Sequence, residues 1–162
     1  MIEINLDVEI GQGLSRLQNL FDDMTPFYQN ISEILKEASR RAFRDQADPS
    51  SGASWAPLSP VTVKRRGSSK PILKVTGDME ASVWPGFNGY SAWISSNIVY
   101  AKTQFFGAKK GAFGYSIGGH FRRVTPIPWG DIPARRFMGL GQEDKDEIVD
   151  FIKNKIKQAV GA

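Results

Sequence analysis

The sequence predicts an α+β fold: a small, mostly antiparallel sheet flanked by a long helix in the N-terminal half and by a C-terminal helix, with long loops at 47–70 and 107–131. Three observations predict it. Apolar residues from Phe27 to Ala42 recur at helical spacing behind Thr25-Pro26. The segment 142–160 repeats that spacing through Ile148, Ile152, Ile156 and Ala159. Between them, Asn88-Gly89 separates two aromatic runs, which is a strong hairpin signal. The 162 residues are expected to form a single domain over 1–162.

Residues 2–10 alternate, with Ile2, Ile4, Leu6, Val8 and Ile10 against Glu3, Asn5, Asp7 and Glu9. This predicts a half-buried strand broken by Gly11 and Gly13. From Leu14 the period becomes helical, predicting a short helix over 14–24. Thr25 as cap and Pro26 in the first turn then open a second helix over 26–45. Residues 47–70 are rich in Ser, Gly and Pro and predict a long loop, although Trp55 and Leu58 are out of place in a plain linker. Residues 76–82 predict a helical turn, and strands follow at 83–87 and 90–96. Residues 98–107 suit a short helix closed by Gly107. Residues 107–123 read as a basic, Gly-rich loop or irregular hairpin, and three prolines make 124–141 extended but irregular. The helix over 142–160 has acids in its first turns and lysines in its last, both matching the helix dipole.

Composition excludes several functions. There is no cysteine, so neither disulfides nor thiolate metal sites can form. The one histidine, His120, lies in the basic loop. No apolar run approaches the ~20 residues of a spanning helix, and the N-terminus lacks the pattern of a signal peptide. Gly11-Gln12-Gly13 precedes a helical pattern but has Arg16 at the third glycine of a dinucleotide fingerprint. The carboxylate groupings at Asp22-Asp23 and around Asp144 fit a solvated face and a helix N-terminus. We therefore expect no catalytic residue, no cofactor and no metal. Charge is uneven: residues 1–39 carry a net −5 and residues 40–136 a net +10. The basic middle could meet polyanions or the acidic end of a neighbouring copy.

The remaining unusual residues fall into ordered blocks. These are Trp55-Ala56-Pro57-Leu58-Ser59-Pro60 with Thr62, then Ile72-Leu73 with Thr76-Gly77, then Tyr100-Ala101 with Phe105 and Gly107. The last is Ile132-Pro133-Ala134-Arg135-Arg136-Phe137-Met138-Gly139-Leu140. In this order they resemble the phage virion morphogenesis family, the tail-completion proteins of Mu-like and P2-like phages, with head–tail joining proteins as looser relatives. The resemblance covers about residues 30–160 and is weaker over the first strand and helix. Two positions depart from it: the family often has His at Thr103 and Pro at Arg136.

The resemblance implies a non-enzymatic virion protein at the head–tail junction, found in the tail or neck and, during assembly, in the host cytoplasm. It would complete or terminate the tail as a homo-oligomeric ring, expected to be a hexamer, between the tail tube and the head connector, with no membrane partner. The alternatives are a head-side stopper or adaptor ring, and a DNA-binding assembly factor absent from the mature particle. Candidate subunit-interface residues are Trp55, Pro57, Leu58, Trp129, Arg135 and Arg136, because Trp and Arg dominate interface hot spots. The bland alternative is that Trp55, Pro57 and Leu58 cap their own core and that 132–140 is internal, with Phe137 and Leu140 buried. Candidates for facing the channel and its packaged DNA are Lys109, Lys110, Arg122 and Arg123.

Overall fold

The computed structural model describes residues 6–118 and 123–161 and has an α+β fold. Its first element overturns the expected N-terminal strand. Helix α1 runs Leu6–Asp22, where the alternation predicts a strand to residue 10 and a helix only from 14; residues 1–5 and the strand expected over them lie outside the described residues. Leu6 and Ile10 are four apart, so they satisfy a helical period as well as an alternating one, and short alternation cannot decide between the two. The inward side of α1 carries Gly13, Leu17 and Leu20, while Leu14 and Phe21 are exposed. α1 packs against the C-terminal helix α6, Gln142–Val160. The two glycines do not end the helix. Gly13 is buried facing the end of α6, where a Cβ would lie 4.0 Å from the Val160 carbonyl oxygen. Gly11 is exposed, and a Cβ added there would meet nothing within 4 Å. Gly11→Ala should therefore stabilise the protein by about 0.5–1 kcal/mol, through lower backbone entropy in the unfolded chain. A thermal melt should show a rise of about 1–4 °C; a fall would mean that this turn is not helical in solution.

Helix α2 spans Thr25–Asp45 with Pro26 in its first turn. The capping differs from the expectation. Thr25 is already helical, and the Asp23 carboxylate accepts its N–H at 2.9 Å. Hydrogen bonds from the Thr25 side chain and backbone hold the Asp23 carboxyl below its ordinary value. The buried side of α2 carries Phe27, Ile34, Ala38, Ala42 and Phe43, with small Ser32 and Ser39 between them. Phe27 meets Phe151 of α6 edge-on at 5.8 Å. α2 ends at Gln46, which takes the left-handed conformation (φ 56°).

The 47–70 segment is not a plain loop, because it contains helix α3, Pro60–Arg66. Ser59 caps it by accepting the Thr62 N–H at 3.2 Å, with Pro60 at the first position. Helix α4, Asp78–Ala81, leads into strand β1, Val83–Phe87, which pairs antiparallel with β2, Ala92–Ser96. The connection is four residues rather than the two of an Asn-Gly turn. Asn88 organises it with its side chain, whose Oδ1 accepts the N–H groups of Tyr90 and Ser91. Both strands lie on α2. Helix α5, Ala101–Phe106, closes with Gly107.

The last strands, β3 (Tyr115–Gly118) and β4 (Arg123–Pro126), form a second antiparallel hairpin. The two hairpins are separate two-stranded sheets. The second lies on no helix or strand in the way that β1–β2 lie on α2, and it forms an arm. Its root is fastened by paired hydrogen bonds between Ala108 and Ile132, at 2.9 and 2.7 Å. The core lies between α2, β1–β2 and the segment 135–138. It joins Ala42, Phe43, Trp55, Ile72, Met79, Val83, Ala101 and Phe137, with Leu58, Leu73, Phe105 and Met138 packed against them.

Candidate functional site: the motif cluster and the arm

The sequence blocks meet in one place. Trp55 is 6% exposed and packs edge-on against Phe43, 5.5 Å between ring centres. Its indole N–H donates to the Arg136 carbonyl at 2.7 Å, and its backbone N–H donates to Gln46. Arg135 is 5% exposed and has three side-chain hydrogen bonds. Nε donates to the Ala56 carbonyl at 2.9 Å, Nη2 to the Pro57 carbonyl at 3.0 Å, and Nη1 to Gln104 Oε1 at 3.3 Å. The Arg135 backbone N–H also reaches the Gln104 carbonyl at 2.8 Å. Burial pulls the guanidinium below its ordinary value, and it remains the charged fork that three neutral acceptors need. One side chain thus ties the Trp55 block, helix α5 and the 132–140 block together. Phe137, fully buried between Phe43 and Phe105, fills the space beneath.

Two further links lie outside the sequence motifs. Gln46 holds Ile72 on both sides, accepting its N–H at 2.9 Å and donating to its carbonyl at 3.3 Å. The Ile72-Leu73 block is therefore fixed to the end of α2. Arg41 of α2 forms an ion pair with Asp144, which is 2% exposed at the start of α6. Asp144 also accepts the Gly141 N–H at 2.8 Å and so caps α6. Burial alone would lower the Arg41 guanidinium, but Asp144, with Glu37 and Glu143, outweighs that and raises it. An acidic residue three positions into a helix is a legible capping signal. Its ion partner, about a hundred residues away, is not.

The interface candidates are divided by this geometry. Trp55 and Arg135 are buried within their own subunit and bonded there. Leu58 is packed on the core, Pro57 is exposed while its carbonyl holds Arg135, and Arg136 is exposed while its carbonyl holds Trp55. Trp129 is apart from this cluster and 58% exposed near the arm. Among the channel candidates, Lys109 and Lys110 lie at the root of the arm. Lys109 Nζ pairs with Asp131 at 3.0 Å and the Lys110 N–H donates to the same carboxylate at 2.8 Å. These contacts, the Lys110 backbone bond first, hold the Asp131 carboxyl below its ordinary value. Arg122 lies outside the described residues, as does the Arg123 side chain; the Arg123 backbone opens β4.

The described residues contain no group of three or more His, Cys, Asp or Glu placed to hold a metal. No helix among them is long and apolar enough to cross a membrane. What the surface does present is apolar. Tyr115, Ile117, Val124 and Trp129 on and beside the arm, and Trp84 and Trp93 on β1–β2, are 45–69% exposed.

A model of the phage virion morphogenesis family matches residues 7–157 and so takes in α1, which the motif blocks covered poorly. The chain is 25% identical to "Putative capsid assembly protein G" of Escherichia phage Mu, over 97% of this chain and 99% of that protein. It is 28% identical to "Mu-like prophage FluMu G protein 2" of Haemophilus influenzae, over 94% and 93% of the two chains. No solved structure matches the fold.

Proposed function

The chain belongs to the phage virion morphogenesis family, and from that premise we propose that it is a structural subunit of the head–tail junction, completing or terminating the tail as a ring and joining it to the head. The observation that carries this reading is the division of the molecule into a stapled body and a projecting arm. The family's motif residues are spent on the body. Arg135, Trp55 and Phe137 are buried, so the motifs specify a rigid shape rather than a reaction centre. The arm offers exposed apolar side chains to a neighbour, which suits a protein whose work is to be held between others. Subunits in such a ring would stop growth of the tail tube and present a surface to the head connector. Lys109 and Lys110 at the arm's root, with Arg122 and Arg123, would line the passage for packaged DNA.

The relative named as a capsid assembly protein favours keeping the head side of the junction as a second reading. Quantitative mass spectrometry of purified particles and of separated, unattached tails distinguishes the two. Presence in both, at one ring's copy number, is the expected result. Presence in particles and heads but not in tails would transfer the protein to the head-side connector. Absence from all of them would overturn the structural reading in favour of an assembly factor that leaves; its binding to DNA should then fall steeply with salt.

A further inference from the structure

Each hairpin leaves one apolar sheet face uncovered. Residues opposed across an antiparallel pair share a face. In the arm, Tyr115 with Pro126 and Ile117 with Val124 therefore occupy one side, and Ser116 with Thr125 the other. Tyr115 and Ile117 are each 69% exposed and Val124 62%. On β1–β2, Trp84 with Ser95 and Gly86 with Trp93 share a side. Trp84 is 62% and Trp93 45% exposed. The Trp93 indole lies directly over Gly86, where a Cβ would come within 2.5 Å of its ring. Glycine here lets the indole lie flat and widens the apolar surface. A two-stranded hairpin is marginal in water on its own, so the arm needs a surface to cover its apolar side.

We propose that the two faces cover each other between copies of this chain: the Tyr115–Ile117–Val124 face of one subunit's arm packs on the Trp84–Trp93 face of the next. The proposal rests on the ring reading above and specifies its interface. A second copy is the favoured occupant for three reasons. Both faces belong to the same chain but to different elements, so each subunit keeps one arm to give and one face to receive. That head-to-tail arrangement repeats and can close into a ring. Second, the chemistry matches, since none of the residues named on these two faces is charged and indoles meet aliphatic and phenol side chains. A nucleic-acid partner would need cations on that face, and Tyr115, Ile117, Val124 and Pro126 supply none. Third, the two exposed tryptophans of one face offer roughly 300 Å² of apolar surface and the other face at least as much, enough for the apolar centre of an interface of about 1,600 Å².

The chain has no cysteine, so introduced thiols report contact without background. Full-length protein carrying both Ile117→Cys and Ser95→Cys should, on mild oxidation, give a ladder of thiol-reducible oligomers on an unreduced gel. Each single variant should remain monomeric on the same gel, because a head-to-tail contact sets residue 117 against residue 95 and neither against itself. In parallel, Ile117→Asp combined with Val124→Asp should reduce the sedimenting species to monomer. Its far-ultraviolet circular dichroism should remain that of the parent, because both side chains are exposed. Oligomers that persist in the double-Asp variant, with no ladder from the cysteine pair, would overturn this interface and leave the ring reading standing. A parent chain that sediments as a monomer at every concentration would also overturn it, while copy number in particles decides the ring reading separately.

Discussion

Replacing Arg135 with methionine should remove about 2–4 kcal/mol of stability, because the carbonyls of Ala56 and Pro57 and the side chain of Gln104 lose their donor at once. Methionine fills similar space and carries no charge, so the loss measures hydrogen bonds rather than a cavity. Arg135→Lys is the informative companion. An ammonium keeps the charge, but one point donor cannot serve three acceptors arranged around a planar fork. It also costs as much to bury. The lysine variant should therefore be no better than the methionine one. Urea unfolding of the three proteins tests this through the midpoint, with the slope expected to stay constant. A lysine variant within about 0.5 kcal/mol of the parent, an amount expected of surface positions, would show that charge rather than the fork holds the three segments. A loss of the size expected here is a large share of the roughly 5–15 kcal/mol that holds a typical domain.

Gly107→Ala should cost about 2–4 kcal/mol, by two separable routes. Gly107 has φ +76° and ψ 175°, a region essentially reserved for glycine that costs an alanine roughly 1–3 kcal/mol. A methyl there would also come within 2.6 Å of the Ile132 carbonyl oxygen and 2.9 Å of the Ala134 nitrogen. Both are backbone atoms and cannot turn aside. The paired bonds between Ala108 and Ile132 would part, and with them the root of the arm and the strand leading to Arg135. Gly114 is the control. It has φ +87° with nothing within 4 Å of its Cβ position, so Gly114→Ala should cost only the conformational part. Hydrogen exchange at Ala108 and Ile132 should accelerate in Gly107→Ala and not in Gly114→Ala. Equal losses in the two variants would mean that the close approach at Gly107 relaxes without cost.

Much of this molecule is legible in its residues alone. Helices α2, α5 and α6, the turn at α4 and the first hairpin follow from periodicity, proline placement and Asn88-Gly89, and all are present within a residue or three of their expected ends. The departures have definite causes. The N-terminal alternation is too short to separate two periods that coincide at Leu6 and Ile10. Ser59-Pro60 is a start signal hidden inside a segment whose composition suggests a loop. The motif blocks are recognisable by order and spacing, and the match over residues 7–157 agrees with them. Spacing does not say what each block does. Trp and Arg are the side chains that anchor interfaces, and they are also the ones whose N–H groups staple buried loops.

The sequence by itself determined the α+β composition, the positions of the amphipathic helices, the lack of thiol chemistry and membership of a morphogenesis family. Those properties are local or are carried by order along the chain. Only the tertiary structure decided which aromatic and cationic residues face inward. Trp55 meets Arg136, and Arg135 meets Ala56 and Pro57, across about eighty residues of chain. Burial is a property of what comes to lie opposite, and no period or spacing records it. The same reason explains the arm. Its alternation between apolar and polar sides is present in the residues, but that its apolar side is left uncovered is fixed by where the rest of the chain ends up.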